Sequence, residues 1–366
     1  MFLFPKVYRP LNVDFSRRFK LLSETCSGYI FTFCTGRNKG LNVGGFSLFS
    51  ESADSGLGIN FLKRMWIQIV TPFWLLRRKG QIDAIIAYDP YASGFAGMIL
   101  KLLLGAKLIV EINGDYHKLK TSTNLLKIWL MKLIFRTTVS LADAVKVLNR
   151  DQESFINQHY PGTTVYRFQD FTATEFFQSL ECYQGDYLLS VGHPFDLKGV
   201  DVLIRAANQM LYKHPKMKLK IMGYCPDEEL RKYAKMAEDN PQIEFVKAGW
   251  IEDVGEQMRG CYLLVNAARF EAMGRVHLEA MACQKPVVAT RTNGGLDYIE
   301  DGRTGLLCEI EDVDDLAKKL DSLLSNPKNA TEMGRAGFAR LQKHYSEENY
   351  VKSFLAMIEG VVSNKK

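Results

Sequence analysis

At 366 residues, with 47% hydrophobic and 24% charged side chains, the chain is long enough for two domains with substantial cores and lacks the composition of a disordered or fibrous protein. Its seven cysteines (Cys26, Cys34, Cys182, Cys225, Cys261, Cys283 and Cys308) show no Cys-x-x-Cys spacing and read as buried free thiols of a reducing compartment. The net charge of +6 hides a division: residues 1–180 carry 22 Lys and Arg against 13 Asp and Glu, and residues 181–366 carry 25 against 28, so the first half is expected to meet something anionic.

Met1–Pro10 lacks a basic start followed by a long apolar run, so no signal peptide is expected. The most apolar stretch, Gly94–Val110, is interrupted by Lys101 and Lys107 and falls short of the roughly 18–20 residues that a spanning helix needs. The expectation is a soluble, cytoplasmic protein whose contact with a membrane, if made, is peripheral.

In the first half, short apolar runs alternate with amphipathic stretches, the pattern of a parallel α/β sheet. Strands are expected at Phe2–Phe4, Tyr29–Cys34, Gly45–Phe49, Ala84–Tyr88, Lys107–Ile112, Ala144–Leu148 and Thr164–Phe168. Helices are expected at Asp14–Glu24, Leu57–Lys79, Tyr91–Leu104, Thr121–Thr138 and Asp151–His159. No Gly-x-Gly-x-x-Gly follows any of these strands, which argues against a dinucleotide-binding dehydrogenase. Three stretches mix Lys and Arg with Trp, Phe and Leu: Phe15–Leu22, Lys63–Lys79 and Leu125–Arg136. On a helix this mixture suits the headgroup layer of an anionic membrane, or equally a core-facing helix with a solvated basic side. No nucleic-acid motif accompanies the basic surplus, so nucleic acid is not an expected partner.

A second α/β run begins at Asp186, after a less patterned connection at Thr172–Gly185. It continues through a strand at Leu219–Met222, a helix near Asp227–Glu238, and strands at Ile243–Lys247 and Cys261–Asn266. Asp312-Val313-Asp314 has the spacing of a metal-binding D-x-D. It reads instead as acidic residues at the start of a helix over Val313–Leu324, where the helix dipole favours them. Helices at Glu332–Lys343 and Glu347–Val362 follow. The repeated β-α order is what two Rossmann-like domains require.

Arg269–Leu307, RFEAMGRVHLEAMACQKPVVATRTNGGLDYIEDGRTGLL, is the most patterned stretch. It reads as loop, helix, short strand, glycine turn and second short strand. Glu271 precedes Gly274 in the loop, and Glu279 lies inside the helix. A helix N-terminus offers unpaired N–H groups and a positive dipole end, both suited to an anion. One carboxylate in the loop and another along the helix would face a ligand carrying hydroxyls beside its phosphates, as a nucleotide sugar does.

The same stretch resembles the signature of glycosyltransferase family 4, retaining enzymes of the GT-B fold: a glutamate, seven residues and a second glutamate, with glycine third after the first. Glu271, Gly274, Glu279, Ala280, Met281, Ala282, Pro286, Val287, Val288, Gly294, Gly295, Asp301, Gly302, Thr304, Gly305 and Leu306 fall in place. The resemblance implies an α/β GT-B fold, with two Rossmann-like domains facing across a cleft. Residues 1–180 would form the acceptor-side domain, 181–345 the nucleotide-sugar domain, and 346–366 a helix crossing back to the first. The implied reaction is sugar transfer from a nucleoside diphosphate to an acceptor hydroxyl with retention, on a glycan or lipid-linked acceptor at the inner face of the cytoplasmic membrane. No metal or resident cofactor is expected.

Residue by residue, the resemblance implies that Glu271 binds sugar hydroxyls and Glu279 the ribose, and that Lys198 grips the diphosphate. Gly192, Gly274, Arg275 and Val276 complete the donor side. His193 stands where the family has arginine, a pH-dependent substitute for a fixed cation. Asn113, with Gly114 and Asp115, stands where the family has a histidine, and its role contracts to hydrogen bonding. Val7–Val13 lacks the family's glycine loop. Two other readings stay open at this point: a non-catalytic nucleotide- or sugar-binding protein on the same scaffold, and a GT-B epimerase or phosphorylase.

Overall fold

The computed structural model describes residues 1–4, 13–34, 39–52, 66–76, 82–114, 125–178, 185–237, 240–247 and 251–363. The chain divides into two units, one of Met1–Phe171 with Tyr350–Lys366 and one of Thr172–Asn349. The expected boundaries were 180/181 and 345/346.

The first unit runs β1 (Phe2–Leu3), α1 (Val13–Leu22), β2 (Gly28–Cys34), β3 (Lys39–Val43), β4 (Phe46–Ser52), a π-helical turn (Trp66–Val70), α2 (Thr71–Leu76), β5 (Ala84–Ala87), α3 (Ala92–Leu104), β6 (Lys107–Ile112), α4 (Leu125–Leu141), β7 (Ala144–Val147), α5 (Arg150–His159) and β8 (Thr164–Arg167). Its eight strands lie in the order β3-β4-β2-β1-β5-β6-β7-β8. All neighbours are parallel except β3 and β4, which pair antiparallel with an irregularity between Lys39 and Leu41. The expectation of strands at every apolar run missed β3, because KGLNV is polar and glycine-bearing and is recruited only by pairing with β4. Of the helix expected over Leu57–Lys79, the described part is the π turn followed by α2; the remainder lies outside the described residues.

Both faces of a parallel sheet must be covered, and the central strands are accordingly apolar on both sides: β5 and β7 are buried throughout. The core joins Leu3, Ile85, Leu108, Val110 and Val145 to Ala96 and Leu100 of α3 and to Val139 of α4. On the opposite side α1 turns Phe15, Arg18, Phe19 and Leu22 inward. Of the two readings left open for Phe15–Leu22, this supports the core-facing one, because Arg18 is buried. Its guanidinium lies among six rings (Phe2, Phe4, Phe19, Tyr88, Tyr350 and Phe354) at 5.3–6.0 Å and donates to Glu111 at 3.2 Å. Burial works against that charge, yet Tyr350, Glu111 and Asp170 around it hold its pKa above the ordinary guanidinium value.

The second unit runs α6 (Thr174–Phe177), β9 (Tyr187–Val191), α7 (Val200–Met210), a 3-10 turn (Leu211–Lys213), β10 (Lys218–Gly223), α8 (Asp227–Met236), β11 (Ile243–Lys247), α9 (Ile251–Gly260), β12 (Leu263–Asn266), α10 (Arg275–Ala282), β13 (Val287–Thr290), α11 (Asn293–Tyr298), β14 (Gly305–Cys308), α12 (Val313–Leu324) and α13 (Pro327–His344). The closing helix α14 (Glu347–Ser363) begins in this unit and continues in the first. The six strands lie in the order β11-β10-β9-β12-β13-β14 and are all parallel. This is the doubly wound order, in which the chain moves outward from β9 to β11, returns, and moves outward again from β12.

Three local expectations change here. The glycine turn is the first turn of α11, with the Thr292 hydroxyl accepting from Gly295 N–H at 3.4 Å. The connection Thr172–Gly185 contains α6, and α13 starts at Pro327 under an Asn326 cap rather than at Glu332. Asp312 caps α12, accepting from Asp315 N–H at 2.9 Å, so this carboxylate of the D-x-D spacing is engaged with its own helix. Among the described residues Cys26, Cys225, Cys261, Cys283 and Cys308 are free thiols. No described helix is long and apolar enough to cross a membrane.

Candidate functional site

In an open parallel sheet the carboxyl ends of the strands point to one edge, and the loops part where the winding reverses. Ligands bind in that opening. In the second unit the reversal lies between β9 and β12. The loop after β9 carries Gly192, His193 and Lys198, and the loop after β12 carries Glu271 and Gly274. Sequence positions 192–199 and 267–274 are therefore brought together by topology alone.

The two loops are fastened at Arg269. Its N–H donates to the Leu197 carbonyl at 2.9 Å. Its guanidinium donates to both carboxylate oxygens of Asp201 at 2.9 and 2.8 Å, to the Asp196 carbonyl at 2.6 Å and to Glu311 at 2.6 Å. The hydrogen bonds that Asp201 accepts are the main reason the Arg269 pKa is raised. Paired planar hydrogen bonds of this kind fix orientation as well as distance.

Lys198 crosses the loop it belongs to. A side chain at Gly192 would meet Lys198 Cε at 2.7 Å, and Gly192 has φ +135, so only glycine leaves this path open. The Lys198 ammonium ends on the Glu271 carboxylate, and both side chains are about one-sixth exposed (17% and 16%). Burial alone would raise the Glu271 pKa. Lys198, His277 and a hydrogen bond from Asn266 outweigh it, and the group sits below its usual value.

Beneath Glu271 lies His277, fully buried in α10, with its ring against Gly274. A side chain at Gly274, which has φ +76, would meet the ring at 2.6 Å and Glu271 Cγ at 3.1 Å. The Asn266 amide contacts the ring through Nδ2 and Nε2 at 2.9 Å. Burial pushes the His277 pKa down to about 4, with Lys198 acting the same way and Glu271 opposing, so the ring is neutral near pH 7.

The remaining expected residues fall as follows. Arg275 opens α10 and is exposed; Val276 follows it, half-buried. By helix geometry their N–H groups lie in the first turn, where no intrahelical partner exists. Glu279 is buried farther along α10. His193 is exposed on the loop after β9. On the same strand edge a cavity of about 470 Å³ is lined by Phe195, Gly223, Tyr224, Asp227, Phe245 and Lys247. In the first unit, Asn113 follows β6 and its amide donates to the Tyr88 carbonyl (3.1 Å) and Glu111 (3.3 Å), while its oxygen accepts from Lys146 (3.4 Å). Gly114 is next to it, and Asp115 lies outside the described residues. The sequence reading did not single out His277, Asn266 or Asp201. His277 alone had a visible signal, as a histidine inside the glutamate motif.

Residues 172–340 match the family model described as glycosyl transferases group 1. An uncharacterized glycosyltransferase of Methanocaldococcus jannaschii is 27% identical over 276 residues, 74% of this chain and 73% of its own length. The poly(ribitol-phosphate) alpha-N-acetylglucosaminyltransferase of Staphylococcus aureus is 30% identical over 165 residues, 44% of this chain and 33% of its own. Among solved structures, Anabaena HepE in complex with UDP is similar with a TM-score of 0.72 at 15% identity, covering 98% of this chain and 99% of that one. The chain therefore has the GT-B fold, and its second unit carries the match to the group 1 glycosyl transferases.

Proposed function

We propose that the protein is a retaining glycosyltransferase that moves a sugar from a nucleoside diphosphate to a hydroxyl of a lipid-linked or polysaccharide acceptor, without a metal ion. The observation that carries this reading is the Lys198–Glu271 pair at the point where the second sheet reverses its winding. A fixed cation and a fixed carboxylate side by side suit a ligand that has phosphate and hydroxyl groups on neighbouring atoms. HepE was solved with UDP, and the S. aureus relative is named for transfer to a phosphate-linked polyol polymer, which supports the donor and acceptor classes proposed.

In this reading the bond from the anomeric carbon to the phosphate oxygen breaks, and its electron pair leaves with the diphosphate. Lys198 and the first N–H groups of α10 stabilise that charge, with Arg275 and His193 at the rim. Preorganised donors are effective here because Arg269 has already fixed the loops. Glu271 accepts from sugar hydroxyls, Glu279 is the residue for the ribose, and the cavity beside Phe195, Tyr224 and Phe245 has aromatic walls for a base. The acceptor oxygen bonds to the anomeric carbon on the face the phosphate leaves, and its proton passes to the leaving phosphate oxygen, so configuration is kept.

A panel of nucleotide sugars and acceptors, read by release of nucleoside diphosphate with and without chelator, tests the proposal. Acceptor-dependent release that survives chelation, with product of unchanged anomeric configuration by NMR, is expected. Inverted product would remove the retaining mechanism, and loss of release under chelation would remove metal independence. Ligand-induced stabilisation without turnover across the panel would instead indicate a binding protein.

A further inference from the structure

We propose that an apolar ridge on the outer surface of the first unit, formed by α4 with the carboxyl end of α3, docks the protein on an anionic lipid bilayer. Nine of the fourteen exposed large hydrophobic residues found among the described residues belong to α2, α3 and α4: Trp74, Leu102, Leu103, Leu125, Leu126, Trp129, Leu130, Leu133 and Leu141. The other five are scattered through the second unit.

On α4 the spacing is helical on two sides at once. Phe135, Thr138 and Val139 are buried against the sheet. Leu126, Trp129, Leu130 and Leu133, at offsets of three, four and seven, are 41–72% exposed. One stripe packs the core and the second faces outward, whereas a surface helix with only a core to satisfy carries polar residues on its outer side. The ridge continues onto α3, because Lys101 donates to the Leu141 carbonyl at 2.8 Å and so holds the carboxyl ends of the two helices together, with Leu102 and Leu103 beside Leu141.

Charge identifies the occupant. Neither α3 nor α4 contains an acidic residue. Lys132 and Arg136 are exposed within and below the apolar stripe of α4. Lys101 and Lys107 face Asp143 at 2.6 and 3.4 Å, so the carboxylate at this end is already engaged. Exposed tryptophan and leucine interleaved with exposed cations match the boundary between acyl chains and anionic headgroups, where the ring and the basic side chain each find a suitable layer. A second copy of this chain would meet the apolar stripe but would set the same cations against one another. The inference is independent of the donor reading. It also narrows the sequence expectation, since Phe15–Leu22 is turned inward and Leu125–Arg136 presents both components, while the basic residues of Lys63–Lys79 lie outside the described residues.

Vesicle co-sedimentation of the whole chain tests the proposal, with phosphatidylglycerol–phosphatidylcholine vesicles against phosphatidylcholine alone. Binding is expected to the anionic vesicles, weakening as salt is raised. Trp129→Gln with Leu133→Gln, and separately Lys132→Glu with Arg136→Glu, should each reduce the bound fraction at least tenfold while circular dichroism is unchanged. These residues lie outside the donor machinery. Absence of binding at low salt overturns the proposal, as does binding that both double variants retain. Sedimentation velocity showing a dimer that the Gln variant dissolves, with no vesicle binding, would assign the ridge to a second copy of the chain and overturn it equally.

Discussion

Lys198 and Glu271 are 73 residues apart in sequence and form one ion pair, because the strands that precede them, β9 and β12, are neighbours in the sheet although β10 and β11 intervene in the chain. The pair is shielded enough that the Lys198 ammonium helps hold Glu271 in its ionised form. Glu271 is held below its ordinary pKa of 4.5, so its ionised form stabilises the fold above that pH, and the contribution is lost as pH falls through the lower folded value. Lys198→Met leaves only His277 and Asn266 against burial, so the Glu271 pKa should rise. The variant is expected to be less stable than wild type by about 2 kcal/mol at neutral pH, with the difference shrinking toward about pH 4. Urea unfolding at the two pH values measures it.

His277 should make the second unit sensitive to mild acid. Its folded pKa of about 4 lies below the ordinary 6.5, so the unfolded chain binds the proton first. Stability is full above 6.5, falls as pH drops toward 4, and is flat below that. The span corresponds to about 3 kcal/mol. His277→Gln should flatten the dependence of unfolding free energy on pH between about 7 and about 5, a range in which Glu271 does not change charge.

Arg269 is a positioning residue, acting through the loops it joins. Arg269→Lys keeps the charge and loses the paired geometry with Asp201. Because Glu271 follows it by two residues, kcat should fall by about tenfold to a hundredfold while the donor KM changes little. A purely structural role would lower the melting temperature and leave the kinetics of the folded fraction unchanged.

The first unit depends on Arg18. Arg18→Met would leave Glu111, which is fully buried, without its cation, at a cost of about 3–5 kcal/mol. Adding Glu111→Gln removes the stranded charge and should recover a large part of the loss. Equal stability of the single and double variants in chemical denaturation would show that the pair is not coupled.

Much of the architecture was legible because parallel strands buried on both faces announce themselves as apolar runs. Lys107–Ile112 and Ile243–Lys247 are strands over the residues expected. β3 was hidden because its residues have no strand pattern of their own, and the helical turn at Gly294 was hidden because glycines usually mark turns. In the site, the glutamate pair was visible as a spacing, and Lys198 was marked by the resemblance. Their contact was not, since it depends on strand order. Asn113 shows the opposite limit: its position was marked by resemblance, but its place among Tyr88, Glu111 and Lys146 is a property of buried polar groups that must all be satisfied. The direction of Arg18 was likewise beyond periodicity, because a guanidinium stacked among aromatic rings is stable where an isolated charge is not.

The most direct test compares Lys198→Ala and Glu271→Ala with wild type, each verified as folded, for donor affinity by calorimetry and for acceptor-dependent release of nucleoside diphosphate. Loss of donor affinity of about tenfold or more in Lys198→Ala is predicted. In Glu271→Ala, turnover is predicted to vanish while nucleoside diphosphate still binds. Wild-type affinity and turnover in both folded variants would contradict the assignment of this ion pair as the donor site.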